Sequence, residues 1–311
     1  MPPLKTSISS WTSEMLVLSG GTGTPKLLMG LKELLGPEEL SVVVNTAEDL
    51  WISGNYISPD IDSVIYTLAD IIDEKKMWGI KGDRTLTHDS LVMMGIKEKL
   101  LVGDRDRAVH IFRSELLRRG VKLSHATQAL AESLGVAQRV VPMTDDIIST
   151  VVSTPEGVMH FQEFWVGRRG MPEVQAIFFA GMDAALPSQA FLDLLEKEDT
   201  ILIGPSNPVT SIGPILALQG VRERLQDKKV VAVSPFIGDR PVSGPAAKFM
   251  IAMCVPASDE GVRTMLGKVD LFVVDKKSSY RGECQRMSTL MRTKRECGKV
   301  AKKLLELIEK E

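Results

Sequence analysis

A glycine-rich segment near the start of the sequence has the composition of an anion-binding loop. Residues 19–26 (Ser-Gly-Gly-Thr-Gly-Thr-Pro-Lys) follow a short apolar run and precede a helical pattern of leucines. A strand, a glycine turn and a helix N-terminus in this order present free backbone N–H groups and the positive end of the helix dipole. We therefore expect a phosphate group here, with Thr22, Thr24 and Lys26 adding hydroxyl donors and a positive charge.

The loop differs from two common phosphate-loop motifs. The Gly-Lys-Ser/Thr ending of a Walker A loop is missing, and Lys26 stands where the dinucleotide fingerprint has its third glycine. A tight strand-to-helix turn without a ligand is the alternative. An NAD-type oxidoreductase is also disfavoured, because Asn45 ends the second predicted strand, where a ribose-binding acid is usual.

Four carboxylates close to this loop in sequence are candidates for holding a cation. Glu48, Asp49, Asp60 and Asp62 fall within fifteen residues. Mg²⁺ prefers one or two carboxylates together with waters and substrate phosphates. For Asp60 and Asp62 the alternative is capping of the helix that begins there. The charged turn at residues 103–107 is equally typical of a solvated capping turn.

The rest of the chain supplies the elements that must position these groups. Runs rich in Val and Ile, apolar on both faces, alternate with helical patterns at residues 16–18, 41–45, 200–204, 229–234 and 269–274. Such runs are typical of a parallel sheet covered by helices on each side. We predict an α/β, Rossmann-like, doubly wound fold with a mainly parallel sheet. In such sheets ligands bind beyond the carboxyl ends of the strands, so the polar loops after these runs form the expected site.

Other segments depart from this alternation. Residues 62–135 are predicted to be a helical insertion or cap, with helices at 62–74, 88–95, 105–119 and 124–134. Residues 149–166 are predicted to be a hairpin turned at 155–157, which adds a small antiparallel extension. The nucleotide-binding core comprises residues 15–61 and 136–311, including helices at 209–219 and 294–310. Residues 1–14 are predicted to be a disordered extension, or to precede a natural start at Met15.

Composition limits the classes of function. The 311 residues are 44% hydrophobic and carry a net charge of -2, which gives no sign of nucleic-acid binding. Three widely spaced cysteines suggest neither a disulfide framework nor a zinc site. No apolar stretch approaches the roughly 18 residues that a membrane-spanning helix needs. We expect a cytoplasmic protein with reduced thiols and no membrane partner.

Seven motifs, in this order, together resemble the 2-phospho-L-lactate transferase family of coenzyme F-420 biosynthesis. They lie at residues 19–26, 45–49, 58–62, 103–106, 142–146, 204–214 and 242–245. The resemblance implies transfer of a phospholactyl or phosphoenolpyruvyl group from a guanosine diphospho donor to the terminal ribityl hydroxyl of the deazaflavin Fo. GMP leaves, Mg²⁺ assists, and the protein is a homodimer. Phosphoryl-type transfer mainly needs an in-line hydroxyl and neutralised diphosphate charge.

The resemblance also suggests a role for each site residue. The diphosphate is expected on the glycine loop: Gly20, Gly21, Thr22, Gly23, Thr24 and Lys26. Asp49 and Asp62 are the expected catalytic and metal-binding carboxylates, with Asp62 favoured for contact with Fo. The guanosine portion is assigned to Ser206, Asn207, Ser243 and Gly244. The deazaflavin pocket is assigned to Trp51, His88 and Leu101, where Leu101 replaces a lysine or arginine frequent in the family.

One alternative comes from a different class of protein. Related regulatory proteins share the glycine loop and bind nucleotide sugars without transferring anything. The carboxylates and the loop before Gly103 favour the transferase. The choice between the two donors stays open, because a pocket separates such similar groups by only a few kcal/mol.

Overall fold

The structure is a computed structural model and describes residues 14–242 and 245–310. Its strands are β1 (Met15–Ser19), β2 (Leu40–Val44), β3 (Leu50–Ile52), β4 (Asn55–Ile57), β5 (Arg139–Pro142), β6 (Ser149–Thr154), β7 (Gly157–His160), β8 (Ala176–Ala180), β9 (Thr200–Ile203), β10 (Lys229–Val233), β11 (Phe236–Ile237), β12 (Arg240–Pro241), β13 (Leu271–Asp275) and β14 (Gln285–Met287). Its helices are α1 (Gly23–Leu31), α2 (Pro59–Leu68), α3 (Leu86–Met93), α4 (Asp104–Arg118), α5 (Leu123–Ser133), α6 (Gln189–Lys197), α7 (Ile212–Ala217), α8 (Val221–Arg224), α9 (Ala246–Ala252), α10 (Asp259–Leu266) and α11 (Lys294–Ile308). A π-helical turn spans Glu163–Gly167.

Seven strands form a parallel central sheet in the order β14-β13-β10-β9-β1-β2-β5. The chain first builds β2 and β5 on one side of β1, and then crosses to build β9, β10, β13 and β14 on the other. A crevice therefore opens between the carboxyl ends of β1 and β9, where the direction of building reverses. The predicted doubly wound α/β fold is confirmed. The five predicted strands all lie in this sheet.

Side chains on β1 alternate between two apolar layers. Met15 and Val17 pack in one layer with residues of α1, α2, α5 and α11. Leu16 and Leu18 pack in the other with residues of α6, α7, α9 and α10. Helices therefore cover both faces of the sheet, as its two-sided apolar strands require. Residues of α2 and α5 also pack in the first layer, against the central sheet. The division of the chain into a core and a helical insertion stays a prediction.

Predicted helix bounds fail where local backbone geometry overrides periodicity. The helix predicted at 62–74 begins earlier, at Pro59, a residue suited to the first helical turn, and ends at Leu68. Asp70 stops it with a left-handed φ of 59°. The helix predicted at 209–219 begins at Ile212, since the Asn207 side chain first accepts bonds from the amides of Val209 and Thr210.

The predicted hairpin forms, with β6 and β7 paired antiparallel, and β8 joins as a third strand. Its second strand ends at His160, six residues early. Phe161 and Phe164 turn inward instead, to ring centroids 5.9 and 5.6 Å from that of Phe249. The extension predicted at the start of the chain lies outside the described residues, except for Glu14. No described helix is long and apolar enough to cross a membrane.

Close packing of α1 against α11 requires a glycine. A Cβ on Gly30 would lie 2.4 Å from the carbonyl oxygen of Cys297, well inside any allowed contact. Gly298, on α11, offers a matched comparison, because a Cβ there would meet nothing within 4 Å.

We expect Gly30→Ala to lower the free energy of unfolding by about 1–3 kcal/mol, the usual cost of overpacking. Gly298→Ala is expected to raise it by up to about 1 kcal/mol, because alanine is the better helix former. Urea titration of both variants measures the difference. Equal effects of the two substitutions would contradict the close approach of α1 and α11.

Candidate active site

A cavity of about 590 Å³ opens at the carboxyl edge of the central sheet. Four segments form its main walls: the glycine loop after β1, the loop after β2, the first turn of α2 and the loop after β9. Residues 100–102 and 161–166 add apolar walls at its sides. The polar loops that the sequence analysis assigned to separate strand ends thus meet in one place.

The glycine loop has glycines because neighbouring segments approach its backbone closely. A Cβ on Gly23 would lie 1.8 Å from the carbonyl oxygen of Pro205, and one on Gly21 would lie 2.3 Å from Asp60 Oδ1. Neither glycine has a positive φ. Glycine is therefore needed at these positions because neighbouring atoms leave no room for a Cβ, and not because the turn requires a left-handed backbone conformation.

Ser206 joins the loops that follow β1 and β9. Its hydroxyl oxygen accepts bonds from the amides of Gly20 and Thr24, both at 3.2 Å, and lies 2.7 Å from Thr24 Oγ1. Within the described ranges, the amides of Thr22 and Gly23 have no protein acceptor, and both residues line the cavity. Lys26 lies beside them. This side of the cavity offers two backbone donors and a cation to an anion.

Directly beside the glycine loop lie carboxylates that are buried and, in the described part of the chain, have no cationic partner. Burial raises the pKa of Asp60 to about 7, despite a hydrogen bond of 2.9 Å from Asn45 Nδ2. Burial, and then the charge of Asp60, raise the pKa of Glu48 well above its ordinary value. Both residues line the cavity. Desolvated acids that repel one another provide a favourable environment for a bound cation.

Asp49 lies behind this wall. Its Oδ2 accepts a bond of 2.6 Å from the hydroxyl of Ser58, while its buried Oδ1 has no hydrogen-bond partner in the described part of the chain. Burial raises the pKa of Asp49 well above its ordinary value.

Asp62, in contrast, already has cationic partners within the protein. It is paired with Arg113, a fully buried guanidinium on α4, and lies 3.2 Å from His110 Nε2. Burial would raise the pKa of Asp62, but the charge of Arg113 and the bond from His110 outweigh burial and lower it to about 2. Asp62 therefore lines the cavity as a fixed, ionised carboxylate.

His110 links Asp62 to a second acid. Its Nε2 lies 3.2 Å from Asp106 Oδ1, which also accepts a bond of 2.6 Å from the hydroxyl of Tyr66. Burial alone would lower the pKa of His110, but its bonds to Asp106 and Asp62 raise it to about 9. Two acids thus face two cations, His110 and Arg113, and the charges in this cluster balance.

Ligand geometry and charge balance favour different sites for a metal ion. Ligand atoms of Asp62, Asp106 and His110 lie within 4.8 Å of one another. Metal binding requires a deprotonated imidazole, so a metal ion here would have to displace the proton that the bonds of His110 to Asp106 and Asp62 favour. Among the described residues, no cationic side chain pairs with Glu48 or Asp60 in the way that His110 and Arg113 pair with Asp62. Glu48 and Asp60 therefore fit a divalent ion better than the cluster of Asp62, Asp106 and His110 does.

The structure brings together part of the predicted site. The predicted residues that line the cavity are Gly21, Thr22, Gly23, Lys26, Asp62, Leu101, Ser206 and Asn207. Gly20 and Thr24 lie beneath the loop, bonded to Ser206. Ser243 and Gly244 lie outside the described residues.

Two predicted ring-binding residues lie away from the cavity walls. Trp51 is on β3, where its ring meets Tyr56 edge-on at 5.4 Å and the guanidinium of Arg118 at 5.5 Å. His88 is on α3, where its Nδ1 lies 2.7 Å from Glu98.

Sequence reasoning missed the polar stripe on α4. Asp106, His110 and Arg113 lie at spacings of four and three residues, which place them on one helix face. This helical spacing is visible in the sequence, whereas the burial of the three residues and their pairing with Asp62 are visible only in the structure. The N-terminus of α4 is capped by Asp83, whose carboxylate accepts hydrogen bonds from the amides of Arg105 and Asp106.

The raised pKa of Asp60 predicts a pH-dependent stability in the absence of divalent ions. The folded state holds its proton up to about pH 7, whereas an unfolded aspartate loses it near pH 4. Folding therefore loses stability as pH rises from about 4 through 7. We expect Asp60→Asn to stabilise the protein, relative to wild type, by about 2–3 kcal/mol more at pH 8 than at pH 5.

Urea unfolding in EDTA at the two pH values measures this difference. Asp193→Asn, on the exposed side of α6, serves as the control and is expected to show no such trend. A pH-independent difference for Asp60→Asn would show that this carboxyl titrates normally.

Comparison with known proteins places the chain in a family. Residues 15–310 match the family model described as 2-phospho-L-lactate transferase CofD. A 2-phospho-L-lactate transferase of Methanosarcina acetivorans is 54% identical over 264 residues, which cover 85% of this chain and 86% of that protein. One from Methanopyrus kandleri is 44% identical over 304 residues, which cover 95% of this chain and 97% of that protein.

A solved structure shows a similar fold. The crystal structure of a UPF0052 family member from Bacillus halodurans has a TM-score of 0.57 and 18% identity, covering 86% of this chain and 81% of that one. The family model spans the whole central sheet and the cavity loops. The chain therefore belongs to the 2-phospho-L-lactate transferase family and is a transferase enzyme.

Proposed function

We propose that the chain transfers a phospholactyl or phosphoenolpyruvyl group from a guanosine diphospho donor to the terminal ribityl hydroxyl of the deazaflavin Fo. GMP is released, and the reaction depends on Mg²⁺ and serves coenzyme F-420 biosynthesis. One observation carries the proposal: a single cavity joins an anion-binding wall to a wall of carboxylates. The homodimer and the cytoplasmic location remain predictions.

The donor diphosphate fits the anion-binding wall. Thr22 and Gly23 offer backbone amides at the N-terminus of α1, and Lys26 adds a charge. Asn207 lies next along the wall and would contact the nucleotide. Backbone donors need no reorganisation when the ligand binds, so they suit a phosphate that must be held in line.

The metal fits the carboxylate wall. Glu48 and Asp60 would hold Mg²⁺, and Asp49 would support them from behind. Two carboxylates, completed by water and phosphate oxygens, form the usual Mg²⁺ environment. The ion would neutralise charge on the diphosphate as the bond to GMP breaks.

Asp62 is suited to orient the acceptor. Because Arg113 and His110 keep it ionised, its oxygens can accept a hydrogen bond from the ribityl hydroxyl. A carboxylate with so low a pKa is a weak base, so its contribution is position. The hydroxyl oxygen then forms the new P–O bond as the P–O bond to GMP breaks, GMP leaves with the electron pair of the broken bond, and the hydroxyl proton passes to solvent water.

The transfer is tested by incubating the protein with Fo, Mg²⁺ and each donor, and measuring GMP release. We expect GMP from at least one donor, and Asp62→Asn to lower the rate by at least about 100-fold, the scale of positioning effects. Circular dichroism must show the variant folded, because Arg113 loses its partner. Asp193→Asn provides the control with unchanged turnover.

Two outcomes contradict parts of this scheme. Near wild-type turnover of Asp62→Asn removes that residue from the reaction. No GMP from either donor, with folded protein that binds a nucleotide sugar and has no affinity for Fo, would favour the regulatory alternative.

The metal assignment has a readout that does not depend on activity. We expect saturating Mg²⁺ to raise the melting temperature of the wild type by about 5 °C, because only the folded state gathers the carboxylates. The double variant Glu48→Gln, Asp60→Asn is expected to show no rise, while Asp62→Asn keeps it. Loss of the rise in Asp62→Asn alone would return the metal to the sequence-based assignment.

A further inference from the structure

Two partly exposed tryptophans, on separate segments of the chain, line the cavity. Trp78 is 45% exposed and Trp165 is 38% exposed, and both line its walls. Leu101 lies on the same apolar side. Aromatic rings left half open to water gain free energy when a planar ligand covers them.

Local structure holds Trp165 in place. It lies in the π-helical turn of Glu163–Gly167, a kind of distortion often found at functional sites. Gly170, with a φ of 60°, packs so closely on the indole that a Cβ there would lie 2.8 Å from two ring carbons. Lys99 also pairs with Glu163 at 2.8 Å and ties this turn to the segment before α4.

Trp78 is also held by its neighbours. Met77 next to it is buried in the first apolar layer, and its amide donates to the carbonyl of Asp73 at 2.7 Å. With Met77 fixed, Lys76 and Trp78 stay at the surface, with the ammonium 5.0 Å from the ring centroid. One part of the indole thus meets a cation, and the exposed remainder is open to a ligand.

We infer that Trp78 and Trp165 bind the planar ring of the acceptor, in the place assigned to Trp51 from sequence. The inference rests on the proposed function, because that function supplies Fo as the ring. Trp51 already packs on Tyr56 and Arg118 away from the cavity walls, whereas Trp78 and Trp165 lie on them. The ring would lie on the apolar side, with the ribityl chain directed towards Asp62 on the carboxylate side.

Calorimetric titration of the full chain with Fo in Mg²⁺ buffer tests the inference. We expect Trp78→Leu and Trp165→Leu each to weaken binding about 5- to 150-fold, as loss of one stacking ring does elsewhere. Trp78→Phe and Trp165→Phe should recover part of the affinity, because phenylalanine keeps an aromatic face. In turnover, the KM for Fo should rise while kcat and the donor KM change less than about threefold.

Two controls separate the ring site from general damage. Phe178→Leu removes an aromatic side chain of 46% exposure on β8, outside the cavity walls, and should leave Fo affinity unchanged. Trp51→Leu tests the competing assignment and should also bind Fo normally.

Each outcome separates this inference from the proposed function. If the wild type binds Fo and both leucine variants bind it equally well, the inference fails and the transferase proposal stands. Weaker binding in Trp51→Leu alone, or a donor KM that rises with the KM for Fo, also overturns the inference. A wild type that binds no Fo overturns both.

Discussion

The hydroxyl of Ser206 joins the loops after β1 and β9, because its oxygen accepts hydrogen bonds from the amides of Gly20 and Thr24. The contact spans the point where the sheet reverses its direction of building, so it fixes the crevice that a doubly wound sheet leaves open. It also forces Gly23 against the carbonyl of Pro205, which no residue with a Cβ could tolerate. The same contact holds the remaining loop amides in the positions that the proposed diphosphate site requires.

The distribution of charge follows from what each acid meets when buried. Asp62 meets Arg113 and His110 and stays ionised, whereas Glu48 and Asp60 meet another acid and no cation. Burying a charge is costly unless it is paired, so the second group favours a ligand that brings positive charge. The charge of Asp62 is thus balanced by side chains of the protein. The charges of Glu48 and Asp60 can be balanced only by a bound cation or by protonation.

Sequence patterns predicted the parts of this structure that repeat or that need unusual residues. Strands with two apolar faces predicted the fold class, and the glycine-rich composition predicted a loop that lines the cavity. Edge strands β5 and β14 escaped for different reasons: β5 is only four residues long and ends at a proline, whereas two of the three residues of β14 are polar and exposed. His110 and Arg113 escaped because their partner Asp62 lies on another helix, and pairing between distant segments leaves no local pattern.

The two halves of the cavity are built in different ways, which has consequences for specificity. The half proposed for the donor consists of backbone amides and loop contacts fixed by the sheet, so substitutions there disturb the packing of Gly23 or Ser206. The half proposed for the acceptor has partly exposed side chains on two separate segments, Trp78 and Trp165. Exposed side chains can change without cost to the core, whereas the close-packed loop cannot. Under the proposed function, the acceptor ring is therefore the substrate whose selection point mutations would alter while the fold and the proposed diphosphate site persist.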